Sequence, residues 1–455
     1  MKKMFTKSFS TALVIVLTTI AFAVNAQTTS LTNTTATTVA STTGVNSTAK
    51  AMVNTEATAT SETKTEVKAV TKAADPDTSF KPVRRLWGYA FGDFYYKSHS
   101  DPLGRGGSNQ YTGVPQDRNA FQFRRIYLGY DYDITKQFSA ELLLAAEDNF
   151  ATVTTPAAAG ATSGDLLTNN KLTFYIKLLN LRWKNIWNGT DLVIGQQSTP
   201  AFPLLSEKIW SYRSIERTVA DIRRTPSYDL GAGLQGTFDP ATKNYGFDLM
   251  VANGTSDKPE NDIYKWFYGD VYAKFLDQKL IFDLYADYEQ LTGNTATVSA
   301  TSRNMIKGYV AYTTPKFTVG IEAFTNMLKN GALATRADKT TAYLDQTAVA
   351  WSFYVRGPIV KNKIGFFARY DTYNPDTNYD NAAYVSYKGL VGNYDPNIKE
   401  EFFTAGLDFT PTKNVHLMPN IWANRYKNQQ ANITGSAVDN ADVVYRLTAY
   451  FTFGK

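Results

Sequence analysis

Residues 401–409 read EFFTAGLDF. Successive side chains of an extended strand point to opposite faces. Phe403, Ala405, Leu407 and Phe409 therefore share one face, and Thr404, Gly406 and Asp408 share the other. The same alternation recurs in DLVIGQQ (191–197), NYGFDLMVAN (244–253), KLIFDLYADYE (279–289), KFTVGIEAF (316–324), KIGFFARYD (363–371) and VVYRLTAYFTF (443–453). In the last of these, Tyr445, Leu447, Ala449, Phe451 and Phe453 alternate with Arg446, Thr448, Tyr450 and Thr452. The period is that of strands apolar on one face and polar on the other, and long helical periodicity is absent.

The connections carry the second signal, because short and long ones take turns. The short ones are DITK (133–136), NIWNGT (185–190), DPATKN (239–244), LDQK (276–279), TTPK (313–316), GPIVKN (357–362) and TPTKN (410–414). The long ones are expected near 97–119, 148–170, 199–228, 254–266, 290–304, 327–344, 374–399 and 425–441. Pairing strands about these turns predicts an all-β transmembrane antiparallel barrel of about sixteen strands, with short periplasmic turns and long outer loops. Each strand is long enough to cross hydrocarbon when tilted. Closure satisfies every backbone group in a solvent that offers no hydrogen bonds. A secreted sandwich or propeller would also alternate, but it has no need of this loop rhythm.

The flanking regions fit an exported chain. Residues 1–26 read as a signal peptide: Lys2, Lys3 and Lys7, the apolar run TALVIVLTTIAFAV (11–24), then Val24 and Ala26 before a cut at Gln27. Residues 27–80 are rich in Thr, Ala and Ser and lack the large side chains a core needs, so a disordered periplasmic tail is expected, with a short helix in 61–74 as an option. Residues 81–455 form the expected barrel. The chain has no cysteine, which excludes disulfides and thiolate metal sites. Its formal charge of +6 owes half to the leader lysines and argues for no nucleic-acid partner. The implied location is the outer membrane of a Gram-negative bacterium.

In a barrel the two faces meet lipid and lumen. In FQFRRIYLGYDYD (121–133), Ile126, Leu128, Tyr130 and Tyr132 are expected toward lipid. Arg125, Tyr127, Gly129, Asp131 and Asp133 are expected toward water. Arg124 then starts the lipid face at the outer end, snorkelling to headgroups, or a bulge turns both arginines inward. Other basic lumen candidates are Lys177, Lys274, Lys307, Arg356, Arg369 and Arg446. Acidic ones are Glu141, Glu147, Asp248, Asp283, Asp287, Glu322, Asp371 and Asp408. A wall of mixed sign suits a water-filled channel.

The connection 199–228 differs from the rest. Phe202, Leu204, Leu205, Ile209 and Trp210 are apolar anchors with no place in water, so a loop folded into the barrel is expected. It also carries Lys208, Arg213, Arg217, Arg223 and Arg224 against Glu207, Glu216 and Asp221. These basic groups, with Arg124 and Arg125, are the expected constriction. Salt bridging within the loop is the competing reading.

Three stretches resemble the phosphate-selective porin O and P family: FQFRRIYLGYDYDI (121–134), LVIGQQSTPAFPLLSE (192–207) and SIERTVADIRRTPSYDLGAGLQG (214–236). The resemblance spans about residues 84–455. It implies a trimeric sixteen-stranded channel whose inward third loop and arginine ladder pass anions. By motif position it makes Arg124, Arg125 and Arg217 pore residues.

The expected function is therefore passive diffusion of small hydrophilic solutes and ions, with a weak anion preference. A phosphate or polyphosphate channel, or a plugged adhesin or receptor, are the alternatives. Expected partners are the solutes, outer-membrane lipid, the barrel-assembly machinery (reading Phe451 and Phe453) and two further copies of the chain. No enzyme, cofactor or metal site is expected. The two histidines, His99 in SHSD (98–101) and His416, form no base–nucleophile pair. DTNYD (376–380) starts like a calcium loop but has Asn381 where glycine is needed.

Overall fold

The computed structural model describes residues 80–106, 109–147, 173–223, 226–260, 262–291, 301–379, 383–390, 396–428 and 440–454. The leader, nearly all of the tail and Arg224 lie outside them. In chain order the strands are β1 (Arg84–His99), β2 (Asn119–Asp133), β3 (Phe138–Glu147), β4 (Tyr175–Trp187), β5 (Thr190–Ser198) and β6 (Tyr228–Thr237). There follow β7 (Tyr245–Ala252), β8 (Trp266–Phe275), β9 (Leu280–Leu291), β10 (Thr301–Thr313), β11 (Thr318–Thr335) and β12 (Thr341–Val360). The last are β13 (Ile364–Asn374), β14 (Ser386–Gly389), β15 (Ile398–Thr412), β16 (Val415–Asn428) and β17 (Asn440–Phe453).

Each of these strands pairs antiparallel with its neighbours, and β1 pairs with both β2 and β17, which closes the ring. Sixteen strands make the barrel, and the short β14 adds to it from the long connection between β13 and β15. All seven expected short connections join consecutive strands. In the one between β8 and β9, Leu276, Asp277 and Gln278 all take left-handed backbone conformations (φ 53, 55 and 64) to reverse the chain.

Two expectations change. The stretch 327–344 is largely strand: β11 and β12 run on together to Thr335 and Thr341, leaving only 336–340 as the turn. The extension holds because β14 pairs with the end of β11, burying Ala332, Ala334 and Tyr387 together. The second change concerns Arg124. Phe91 pairs with Arg125 and Gly92 with Phe123, so Arg124 is the extra residue of a β-bulge and does not reach lipid. Phe121 and Phe123 point outward before it, Ile126 after it, and both arginines turn inward.

The outer face carries the apolar belt. Phe403, Leu407, Phe409, Tyr445, Leu447 and Phe451 are exposed, whereas Thr404, Asp408, Arg446 and Thr448 between them are buried. That inversion, charges inside and hydrocarbon outside, is stable only when the surrounding solvent is apolar.

Candidate functional site

The connection from β5 to β6 is pinched at its neck. Thr199 donates to the Ser227 carbonyl through its amide (3.2 Å) and to the Pro226 carbonyl through its hydroxyl (2.6 Å). Two short helices follow, α1 (Ser206–Trp210) and α2 (Val219–Arg223). α1 ends at Ser211, whose left-handed φ of 64 lets its amide return to the Glu207 carbonyl at 2.9 Å. The apolar anchors find their cover on the barrel wall. Phe202, Val219 and Ala220 pack with Met250, Tyr268, Tyr285 and Phe324. Trp210 and Ile215 pack with Tyr309, Tyr354, Phe367 and Met418.

Four wall arginines hold the loop by its backbone. Arg356 of β12 donates to the Ile209 carbonyl (2.9 Å), and Arg124 of β2 to that of Ser214 (2.7 Å). Arg446 of β17 donates to the Ile215 carbonyl (3.1 Å), and Arg369 of β13 to that of Arg217 (2.5 Å). A guanidinium suits this work because its several N–H groups serve a carbonyl and a carboxylate at once. Arg369 also bonds Asp371 (2.8 and 2.5 Å), Arg446 bonds Asn420 (2.7 Å), and Arg124 lies 3.4 Å from Asp93.

The β1–β2 connection braces the same segment. Glu216 accepts from Gln110 (3.1 Å) and from the indole of Trp422 (2.7 Å). Burial pushes the Glu216 carboxyl up, but the charges of Arg124, Arg217 and Arg446 outweigh it and hold the group below its ordinary value. Arg223 makes a two-pronged bond to Glu400 (2.8 Å each), which Asn109 of the first loop also reaches (2.7 Å).

The expected basic residues thus fall into two sets. Arg124, Arg125, Lys177, Arg223, Arg369 and Arg446 are buried. Arg125 and Lys177 share Glu147, at 3.4 and 2.5 Å. Lys208 is exposed, while Arg213, Arg217 and Arg356 remain partly open. Arg213 bridges Glu207 and Asp221, and Arg217 lies 3.6 Å from Asp221. On the remaining wall Lys307 pairs with Asp283 (2.6 Å), and Lys274 sits 5.0 Å over the Tyr272 ring. Asp248, Asp287 and Glu322 are buried with them, and Glu141 accepts from Asn180 at 3.0 Å.

Sequence reasoning passed over Arg182. It lies on the inward face of β4, partly open, bonded to Asp191 (3.0 Å) and Gln235 (2.6 Å). The alternation of β4 was sufficient to find it. Gln110, Asp93 and Glu400 carried no local signal, since their roles depend on the loops that reach them.

The two histidines sit apart. His99 Nε2 is 2.7 Å from Asn440 Oδ1, while Ser98 and Ser100 donate to the carbonyls of Val443 and Val114 (3.3 and 3.1 Å). Asp376 is occupied by the Tyr387 hydroxyl (2.6 Å) and the Thr347 amide (3.1 Å), and Asp380 lies outside the described residues.

No protein-family model matches the chain, and no curated protein matches it either. Solved structures do. An anion-selective porin from Comamonas acidovorans is 12% identical, with 82% of this chain and 100% of that chain covered at a TM-score of 0.50. The outer membrane channel DcaP of Acinetobacter baumannii is 11% identical, with 82% and 97% covered at a TM-score of 0.53. At such identities the likeness is one of fold. The chain has the fold of outer-membrane porins, and its apolar belt places it in that membrane.

Proposed function

We propose that the protein is an outer-membrane porin of a Gram-negative bacterium, passing small hydrophilic solutes and ions by diffusion with a weak anion preference. The observation that carries this is the arginine clamp. Four strands of the closed wall grip the carbonyls of residues 209–217, which supports reading the β5–β6 connection as an inward loop that narrows the passage. Lys208, Arg213 and Arg217, the least covered cations among the described residues of that loop, would then set its charge. Low-dielectric walls focus a field, so a few charges at a narrowing outweigh the balance of the whole wall.

The porin O and P reading remains the resemblance of three stretches. The burial and pairing of Arg124 and Arg125 favour a general, weakly selective pore over an arginine ladder dedicated to phosphate. Residues 1–26 and 27–80 are read as cleaved leader and periplasmic tail, and three copies as the working assembly.

The test is the purified protein in a planar bilayer under a salt gradient. Steady conductance with a reversal potential on the anion side is expected. Replacing Lys208, Arg213 and Arg217 together by alanine should move that potential toward cation preference with the barrel still folded. A folded barrel with no open current would favour a plugged surface receptor.

A further inference from the structure

Aromatic rings run across the inner wall on the short-turn half of the barrel, and the clamp makes no use of them. Trp87 and Tyr89 of β1 stack with centroids 6.4 Å apart, and Tyr89 meets Tyr450 of β17 at 6.1 Å. Tyr450 meets His416 of β16 at 5.4 Å. His416 Nδ1 lies 2.9 Å from Asp408 of β15, which also accepts from the Tyr212 hydroxyl of the inner loop at 3.1 Å. The arc therefore links the base of β1 to the loop. Trp87, Tyr89, Tyr450, His416 and Tyr212 are all partly open. The backbone makes room for the first: a Cβ on Gly129 would lie 2.3 Å from the Trp87 ring.

One side of the arc is packed: Trp87, Tyr89 and Tyr450 lie against the Phe91 and Tyr127 cluster, and Tyr212 meets Phe367 at 4.5 Å. The ring surface left partly open on a wetted wall is unfavourable unless something covers it. The polar groups beside the arc come as donor–acceptor pairs, His416 with Asp408 and Arg85, which lies 5.7 Å over Trp87, with Asp131. Such pairs set donors and acceptors side by side. An anionic group only accepts, so they discriminate against it, whereas a hydroxyl both donates and accepts. A solute with C–H faces and hydroxyl edges fits both features: the faces lie on the rings, whose negative π-clouds attract C–H, and the edges meet the pairs.

We infer that this arc is a binding track for neutral sugars, taken up face-on during passage. The inference names a solute class for the channel proposed above and rests on that reading. The probe is maltohexaose, with the full-length protein in a detergent that carries no sugar headgroup. Calorimetry should show saturable binding, and maltohexaose should interrupt the bilayer current. Tyr450→Leu should weaken binding by about 3- to 10-fold, while Tyr450→Phe, which keeps the ring, stays within about 2-fold of the parent. A conducting channel that neither binds maltohexaose nor is interrupted by it overturns the sugar track and leaves the porin standing. Binding with no conductance in any preparation supports the track and overturns the channel. Gluconate binding more tightly than the neutral sugar would assign the arc to anions and overturn the proposal.

Discussion

Arg124 and Ser214 lie 90 residues apart in the chain, and the guanidinium of one donates to the carbonyl of the other at 2.7 Å. The bulge at Arg124 exists in β2 and the contact it makes lies on the β5–β6 loop, so wall and loop are fitted to each other. A charge-assisted hydrogen bond of this kind contributes about 1.5–3 kcal/mol. Arg124→Ala also removes the guanidinium that lies 3.4 Å from Asp93. The variant should still give a heat-modifiable barrel, with a looser β5–β6 loop read as larger and noisier single-channel conductance. Conductance identical to the parent would show that Arg356, Arg369 and Arg446 suffice to hold the loop.

Glu207 should give the proposed pore a pH dependence. Burial pushes its carboxyl up, Arg213 pulls it down and Asp221 pushes it up again, leaving it above its ordinary value of 4.5. As pH falls, Glu207 takes up its proton before an ordinary glutamate does, and Arg213 loses one of two anionic partners. Anion preference should therefore rise on acidification, with its midpoint above 4.5. Glu207→Gln should show the acid-state selectivity already at neutral pH and lack the step. Reversal potentials measured across the pH range decide it.

Leu447 sits near the middle of β17 on the lipid side, with Thr448 turned inward beside it. An arginine at the bilayer midplane of a barrel costs about 2–4 kcal/mol. Leu447→Arg should lower the yield of assembled barrel on semi-native gels, whereas Leu447→Phe should assemble normally. Equal yields would place Leu447 away from hydrocarbon.

The topology is open to labelling because the native chain has no cysteine. Asn378→Cys, in the connection after β13, should react with an impermeant thiol reagent on intact cells. Lys361→Cys, in the short turn between β12 and β13, should react only after the outer membrane is opened. The opposite pattern would invert the barrel.

Period-two alternation is a local property, since each side chain's face follows from its neighbours alone. The sequence by itself therefore determined the strands, their lipid and lumen faces, the seven short turns and the closed sheet they require. The apolar anchors Phe202 and Trp210 likewise announced a loop in need of cover. What covers them was decided by tertiary structure, because Tyr285, Phe324 and Phe367 come from distant strands. The same holds for Arg124: in sequence it continues the lipid-facing phase, and only an acceptor 90 residues away makes an inward bulge worth its lost strand pairing. The overhang of β11 and β12 was hidden for a like reason. Outside the membrane no apolar face is demanded, so the stretch 327–344 carries a loop's pattern, and its strand form depends on pairing with β14, far along the chain. Faces follow from alternation, but the choice between an open arginine and a clamped one depends on which long-range partner arrives to desolvate it.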